Sequence, residues 1–306
     1  MKVSTSQIFD RATSQMSAQQ AKVAEMQTKL ATGKQITRPS DNPEQAALIQ
    51  RLTTALNRQD VYQTNLDSIN SRLGAEESAL MTAEDVMQRV RELAVQASSE
   101  TVSAADRQII AAEITALRDQ LVSLANTTDV SGNYVFSGSK VRTQPFAENA
   151  SGDLVYQGDQ NRIMVDVSDQ RQLSLNRPGN EVFPSVVREV DGVSERVSFF
   201  AVIDDFTTGL KANDLGQLQD SLSEISDLTQ NMAISIADVG SRMRIAESQL
   251  DSLTEAKLRY QTLLSNAEDL DYATAITQLT SEIMSLEAGQ SSFAKISQLS
   301  LFDYIR

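Results

Sequence analysis

The 306-residue sequence contains no cysteine, no histidine and no tryptophan. Without cysteine it can form no disulfide, no thiolate metal site and no thiol nucleophile. Without histidine it lacks the commonest general base and the commonest metal ligand. Carboxylate or lysine chemistry passes this test, so composition weighs against an enzyme and against cofactors without closing the question. Basic residues are scarce relative to acidic ones, for a net charge of −14. Nucleic acid as a partner calls for a basic footprint, which is missing. No run of about 18 apolar residues is present, so no membrane-spanning helix is expected. The first residues, MKVSTSQIFDRATSQ, have neither the apolar core nor the small-residue cleavage site of a Sec signal peptide. Taken alone, that places the protein in the cytoplasm, unless it is exported by a route that needs no Sec signal.

Hydrophobic content is 41%, enough for a real core over this length. Proline occurs at 39, 43, 145, 178 and 184, so residues 44–144 and 185–306 have none. Six of the twelve glycines fall between Gly132 and Gly192. This punctuation divides the chain into a helical arm, a Gly/Pro-bearing middle and a second helical arm. Charge is uneven as well. Residues 1–50 carry six basic and four acidic groups, whereas residues 201–306 carry seven basic and sixteen acidic.

Alternating steps of four and three test the arms for a helical seam. In the first stretch they select Thr5, Phe9, Ala12, Met16, Gln19, Val23, Met26 and Leu30, six of the eight apolar. After the prolines they run from Leu48 to Ala97, and only Gln59 and Glu76 break the apolar stripe. That helix would be about 75 Å long at 1.5 Å per residue. Ser98 and Ser99 mark its end, Ser103 is a candidate N-cap, and Ile110, Ile114, Leu117, Leu121 and Leu124 follow on a third helix. The last arm steps from Leu218 to Leu264, then restarts after Asp269 and Asp271 with Ile276, Leu279, Ile283, Leu286 and Phe293. In the middle, GNYVFSG, LVYQG and RIMVDV read as strands bounded by turn residues.

The reading is a mainly α protein: an elongated bundle of long antiparallel helices with a small β-rich module inserted in the middle. The expected segments are residues 1–44 (terminal helix and proline loop), 45–129 (first half of a helical rod), 130–197 (β module), 198–268 (second half of the rod) and 269–306 (C-terminal helix). Stripes in the central segments are expected to be intramolecular core. The two ends differ, because their off-stripe positions are mostly Ser, Thr, Gln and Ala. A solvated helix face usually carries Lys and Glu, whereas small uncharged residues suit close neighbours. The ends are therefore expected to pair between subunits and to be disordered or partner-dependent in the monomer.

The first two prolines sit in ATGKQITRPSDNPEQAALIQ, residues 31–50. Gly33 can supply a left-handed C-terminal turn. Pro39 is expected to hold the chain extended, Asp41 or Ser40 to cap the next helix, and Pro43 to occupy its first turn. Other matches are weak. Glu76–Glu77 and Asp204–Asp205 read as solvated helix faces, and Asp269–Leu270–Asp271 as a fragment that lacks the rest of a calcium loop. Asn126 and Asn149 fit a glycosylation pattern that is frequent by chance in a Ser/Thr-rich chain. Lys34 and Arg38 could hold an anion but read better as exposed loop charges.

Three segments resemble the flagellin superfamily. They are VSTSQIFDRATSQMSAQQAKVAEMQTKLATGKQITRPSDNPEQAA at 3–47, LRDQLVSLANTTDVSGNYVFSG at 117–138 and DLDYATAITQLTSEIMSLEAGQSSFAKISQLSLFDYI at 269–305. The Pro-Ser-Asp-Asn-Pro loop and the LSLFDYI ending look like the hook–filament junction branch rather than filament flagellin. The resemblance implies a structural adaptor exported unfolded through the flagellar type III route and assembled outside the cell. Phe9, Met16, Val23, Met26 and Leu30, with Ile276, Leu279, Ile283, Leu286 and Phe293, would then pack between neighbouring subunits. It also implies partners: other copies of the chain, an adjacent junction protein, flagellin, and an export chaperone at the C-terminal segment. A minor flagellin that builds filament is the alternative, and a cytoplasmic coiled-coil scaffold a remote one.

Overall fold

The computed structural model describes residues 2–150, 152–190 and 193–302. Of the LSLFDYI ending, residues 303–305 lie outside that range. The described elements, in chain order, are α1 (Lys2–Thr32), α2 (Pro43–Ala97), α3 (Ala104–Ala125), β1 (Phe146–Glu148), β2 (Leu154–Tyr156), β3 (Met164–Ser168), β4 (Arg171–Ser174), α4 (Gly179–Val182), β5 (Val186–Val190), β6 (Val193–Val197), α5 (Phe199–Ala212), α6 (Leu215–Glu268) and α7 (Tyr272–Phe302). The fold is thus mainly helical around a small β-containing middle. It divides into two compact units, one of residues 59–254 and one combining 1–58 with 255–306.

The 59–254 unit holds the hydrophobic core, whose buried residues run from Tyr62 to Leu253. On α2 the seam positions from Leu66 to Ala97 are all buried, including the one that breaks the apolar pattern. Glu76 is fully buried rather than on a solvated face, and its carboxylate accepts from Arg242 Nη1 of α6 at 3.2 Å. The expectation failed because a seam carboxylate is tolerable when a cation on the facing helix reaches it. Asp204 and Asp205 are likewise partnered, by Arg118 at 3.0 Å and Arg188 at 2.8 Å.

Ser103 caps α3, its hydroxyl accepting from the Asp106 amide at 3.2 Å. Arg107, buried in the next turn, donates to the carbonyls of Ala97 at 3.0 Å and Ser99 at 2.8 Å. It thereby satisfies acceptors left open where α2 ends. The segment 198–268, read as one helical arm, is two helices. Asn213 stands in the left-handed region at φ 55°, and Asp214 Oδ1 accepts from the amides of Gly216 and Gln217 to start α6. The run FFAVIDDF opens α5, whose buried Phe199, Val202, Ile203, Phe206, Thr207 and Leu210 recur at helical spacing on one face, with Asp204, Asp205 and Thr208 on the other.

The strands form three separate antiparallel hairpins, β1–β2, β3–β4 and β5–β6. LVY and MVDV are strands as expected, but GNYVFSG is not. Its carbonyls are claimed from outside any ladder. Arg72 Nη2 of α2 donates to Tyr134 O at 2.8 Å and Val135 O at 3.1 Å, while Gly179 N and the Tyr156 hydroxyl donate to Phe136 O. Phe136 then enters a cluster with Phe146, Phe183, Phe199 and Phe200, whose ring centroids lie 5.2–6.0 Å apart, mostly edge to face.

Asn126 closes α3 onto β1. Its Nδ2 donates to Phe146 O and its Oδ1 accepts from Phe146 N, both at 2.9 Å. Replacing it with alanine leaves the Phe146 amide unpaired and Phe146 O with only the Gln144 side chain at 3.1 Å, and should lower stability by about 2 kcal/mol, measured by chemical denaturation. Its amide nitrogen is therefore held inside the structure, which does not suit a glycan acceptor.

Candidate assembly site

The unit formed by 1–58 and 255–306 is built differently. Among its described residues, the buried apolar side chains are Leu52, Ala267 and Ala275. Its two outer helices, α1 and α7, lie against each other. Phe9 meets Phe293 edge to face, with centroids 5.4 Å apart at 85°. Gln19, the polar position in the α1 stripe, donates to the Glu282 carboxylate and to Glu282 O at 3.3 Å. Phe9, Met16, Val23, Met26 and Leu30 of α1 and Leu279, Ile283, Leu286 and Phe293 of α7 are all half-buried. Ile276 is 54% exposed. The stripes therefore have an intrachain partner, but it covers them only in part. Ala12, Met16, Gln19, Leu286, Gly289 and Phe293 line a groove of about 540 Å³ between the two helices. Positions away from that groove, such as Ser14, Ser17, Gln20, Thr277, Thr280 and Ser281, are small or uncharged and exposed.

The loop after α1 departs from expectation in two places. Gly33 does end α1 in the left-handed region, at φ 69°, with its amide donating to Lys29 O at 2.9 Å. Pro43 does open α2. Pro39, however, sits in a turn closed by the Asp41 amide donating to Arg38 O at 2.9 Å, rather than in an extended run. Asp41 caps nothing. Its carboxylate accepts from the Arg38 amide at 2.9 Å, which closes the same turn. The cap is Asn42, whose Oδ1 accepts from the Gln45 amide at 3.2 Å. With Pro43 fixed at the first helical position, only the residue directly before it has the reach of a cap.

At the other end, Asp271 is the cap of α7. It accepts from the amides of Ala273 at 3.0 Å and Thr274 at 3.4 Å and from the Thr274 hydroxyl at 2.6 Å. The Thr274 hydroxyl bond first, and the amides with it, hold its carboxyl below the usual aspartate range. Thus Asp271 serves a helix start. Lys34 pairs with Glu268, so it is not a free anion-binding charge.

Sequence reasoning missed Gln35, Gln45, Glu268 and Tyr272. The Gln35 amide donates to Glu268 O at 2.8 Å, and the Gln45 side chain donates to Ala267 O at 2.7 Å. Nothing local flags these residues, because their partners lie more than 200 positions away.

The family described as bacterial flagellin N-terminal helical region matches residues 3–141. The chain is 29% identical over 317 residues to flagellar hook-associated protein 3 of Escherichia coli (strain K12), covering 99% of both. Likeness to the flagellin of Bacillus subtilis (strain 168) is lower, 23% over 278 residues and 88% of each. The crystal structure of FlgL from Xanthomonas campestris, 25% identical, superposes with a TM-score of 0.57 over 69% of this chain and 99% of that one.

Proposed function

We propose that this protein is a structural component of the bacterial flagellum that joins hook to filament. The observation that carries the proposal is the end-to-end likeness to flagellar hook-associated protein 3. The half-covered pair α1/α7 supplies the means. Stripes only half-buried within one chain, with small uncharged residues on the outward faces, leave apolar area for neighbouring copies to cover. Phe9, Met16, Val23, Met26 and Leu30, with Ile276, Leu279, Ile283, Leu286 and Phe293, are the packing residues in this reading. Residues 59–254 fold on a core of their own. Copies of the chain meet one another, an adjacent junction protein on the hook side and flagellin on the filament side.

No described helix is long and apolar enough to cross a membrane. Export of the unfolded chain through the flagellar type III route, with a chaperone on the C-terminal segment, completes the reading. A cysteine-free chain has no disulfide to obstruct that passage. The rival reading is a minor flagellin. Electron microscopy of the purified protein separates them: the adaptor should give no long filaments alone, and long filaments without other flagellar components would favour the rival.

A further inference from the structure

We infer that the two turns at the base of α1 and α7 form a single clamp, through which the ordering of either end of the chain governs the other. Neither turn satisfies its own backbone. The last carbonyls of α6 have no partner within the helix. That of Ala267 is taken by the Gln45 side chain at 2.7 Å, and that of Glu268 by the Gln35 amide at 2.8 Å. In return the Leu270 amide donates to Gly33 O at 2.9 Å, so residues 33–35 and 268–270 make a short antiparallel ladder around Lys34 and Asp269. The Lys34–Glu268 ion pair and the bond from Gln45 to Gln35 Oε1 at 3.3 Å close the same junction.

Gly33 is required by its φ of 69°, which a side chain rarely adopts, and a Cβ there would also have to displace the Tyr272 hydroxyl, 2.8 Å away in the first turn of α7. Ala267 and Ala275 are buried beside the ladder. Lys34, Gln35 and Asp269 are themselves exposed, so the ladder is held by its hydrogen bonds rather than by burial, whereas the half-buried α1/α7 seam rests on side-chain contacts and opens more readily. If one terminal helix leaves, the clamp loses the groups that satisfy the turn of the other. This coupling follows from the chain's own contacts and does not depend on the hook–filament reading.

Hydrogen exchange on the full-length monomer tests it, in wild type, Gly33→Val and Met26→Ala. Gly33→Val should raise exchange at least about tenfold in residues 20–35 and also in residues 267–286, far away in sequence, while peptides within 62–253 stay unchanged. Met26→Ala weakens only the seam and should leave residues 267–275 protected. The inference would be overturned by a rise confined to residues 20–45 in Gly33→Val, or by loss of protection at 267–275 in Met26→Ala equal to that in Gly33→Val. Absence of protection at 267–275 in the wild type would overturn it too.

Discussion

Removing residues 276–306 should abolish incorporation into the flagellum while leaving residues 59–254 folded. The core cluster lies entirely between Tyr62 and Leu253, so the truncation removes none of its members. What disappears is most of α7, and with it the partner of the α1 stripe. Phe9 loses its edge-to-face contact with Phe293, and Gln19 loses Glu282. Isolated helices are marginal in water unless a tertiary partner covers their apolar face, so α1 beyond the clamp should fray. Circular dichroism should show a proportionate loss of helix, and the main thermal transition should keep its cooperativity. Global unfolding of the truncated chain would contradict the division into two units.

Glu76→Leu should lower the stability of the 59–254 unit by about 3–5 kcal/mol, the usual result of breaking a buried ion pair from one side. Arg242 would keep its bond to Ser174 O at 3.2 Å but lose the carboxylate that balances its charge. The double variant Glu76→Leu/Arg242→Met should recover most of the loss, because two apolar side chains leave no charge unpaired. Burial raises the Glu76 pKa, with Asp238 adding in the same direction, and this outweighs the opposing pull of Arg242 and Arg177. The sign for stability follows. A carboxyl that is raised on folding binds more protons in the folded state than in the unfolded one. Relative to Glu76→Gln, the wild type should therefore gain stability as the pH falls from Glu76's raised folded value to the ordinary glutamate value, about 4.3. Denaturation curves of the two proteins across that window measure it. A wild-type protein that loses ground to the variant on acidification would show the arginines, not burial, dominating.

The helices were legible where a periodic stripe faces a single seam. Leu66, Leu73, Leu80 and Met87 are buried as the stepping requires, and Ser103 and Pro43 punctuate where local chemistry places them. The failures have a common cause. Glu76 broke the pattern because its partner, Arg242, is 166 positions away. GNYVFSG looked like a strand, but its carbonyls are taken by Arg72, Gly179 and Tyr156, whose approach is set by tertiary packing. α5 has a regular stripe of its own, Val202, Ile203, Phe206 and Leu210, but the chain turns at Asn213 before α6, so the stepping that starts at Leu218 does not extend back to it. The apolar stripes of the chain ends were visible from residue types alone. Their partial cover by each other, and the clamp at their base, were not, since residues 33–45 and 267–275 meet only once the whole chain is folded.

The most direct test of the central claim is electron microscopy of flagella from a strain lacking this chain, complemented with the full sequence or with residues 1–275. The adaptor account predicts intact hooks without filaments and flagellin released into the medium, restored by the full chain and not by the truncated one. Filaments that persist on the hooks of the deletion strain would contradict it.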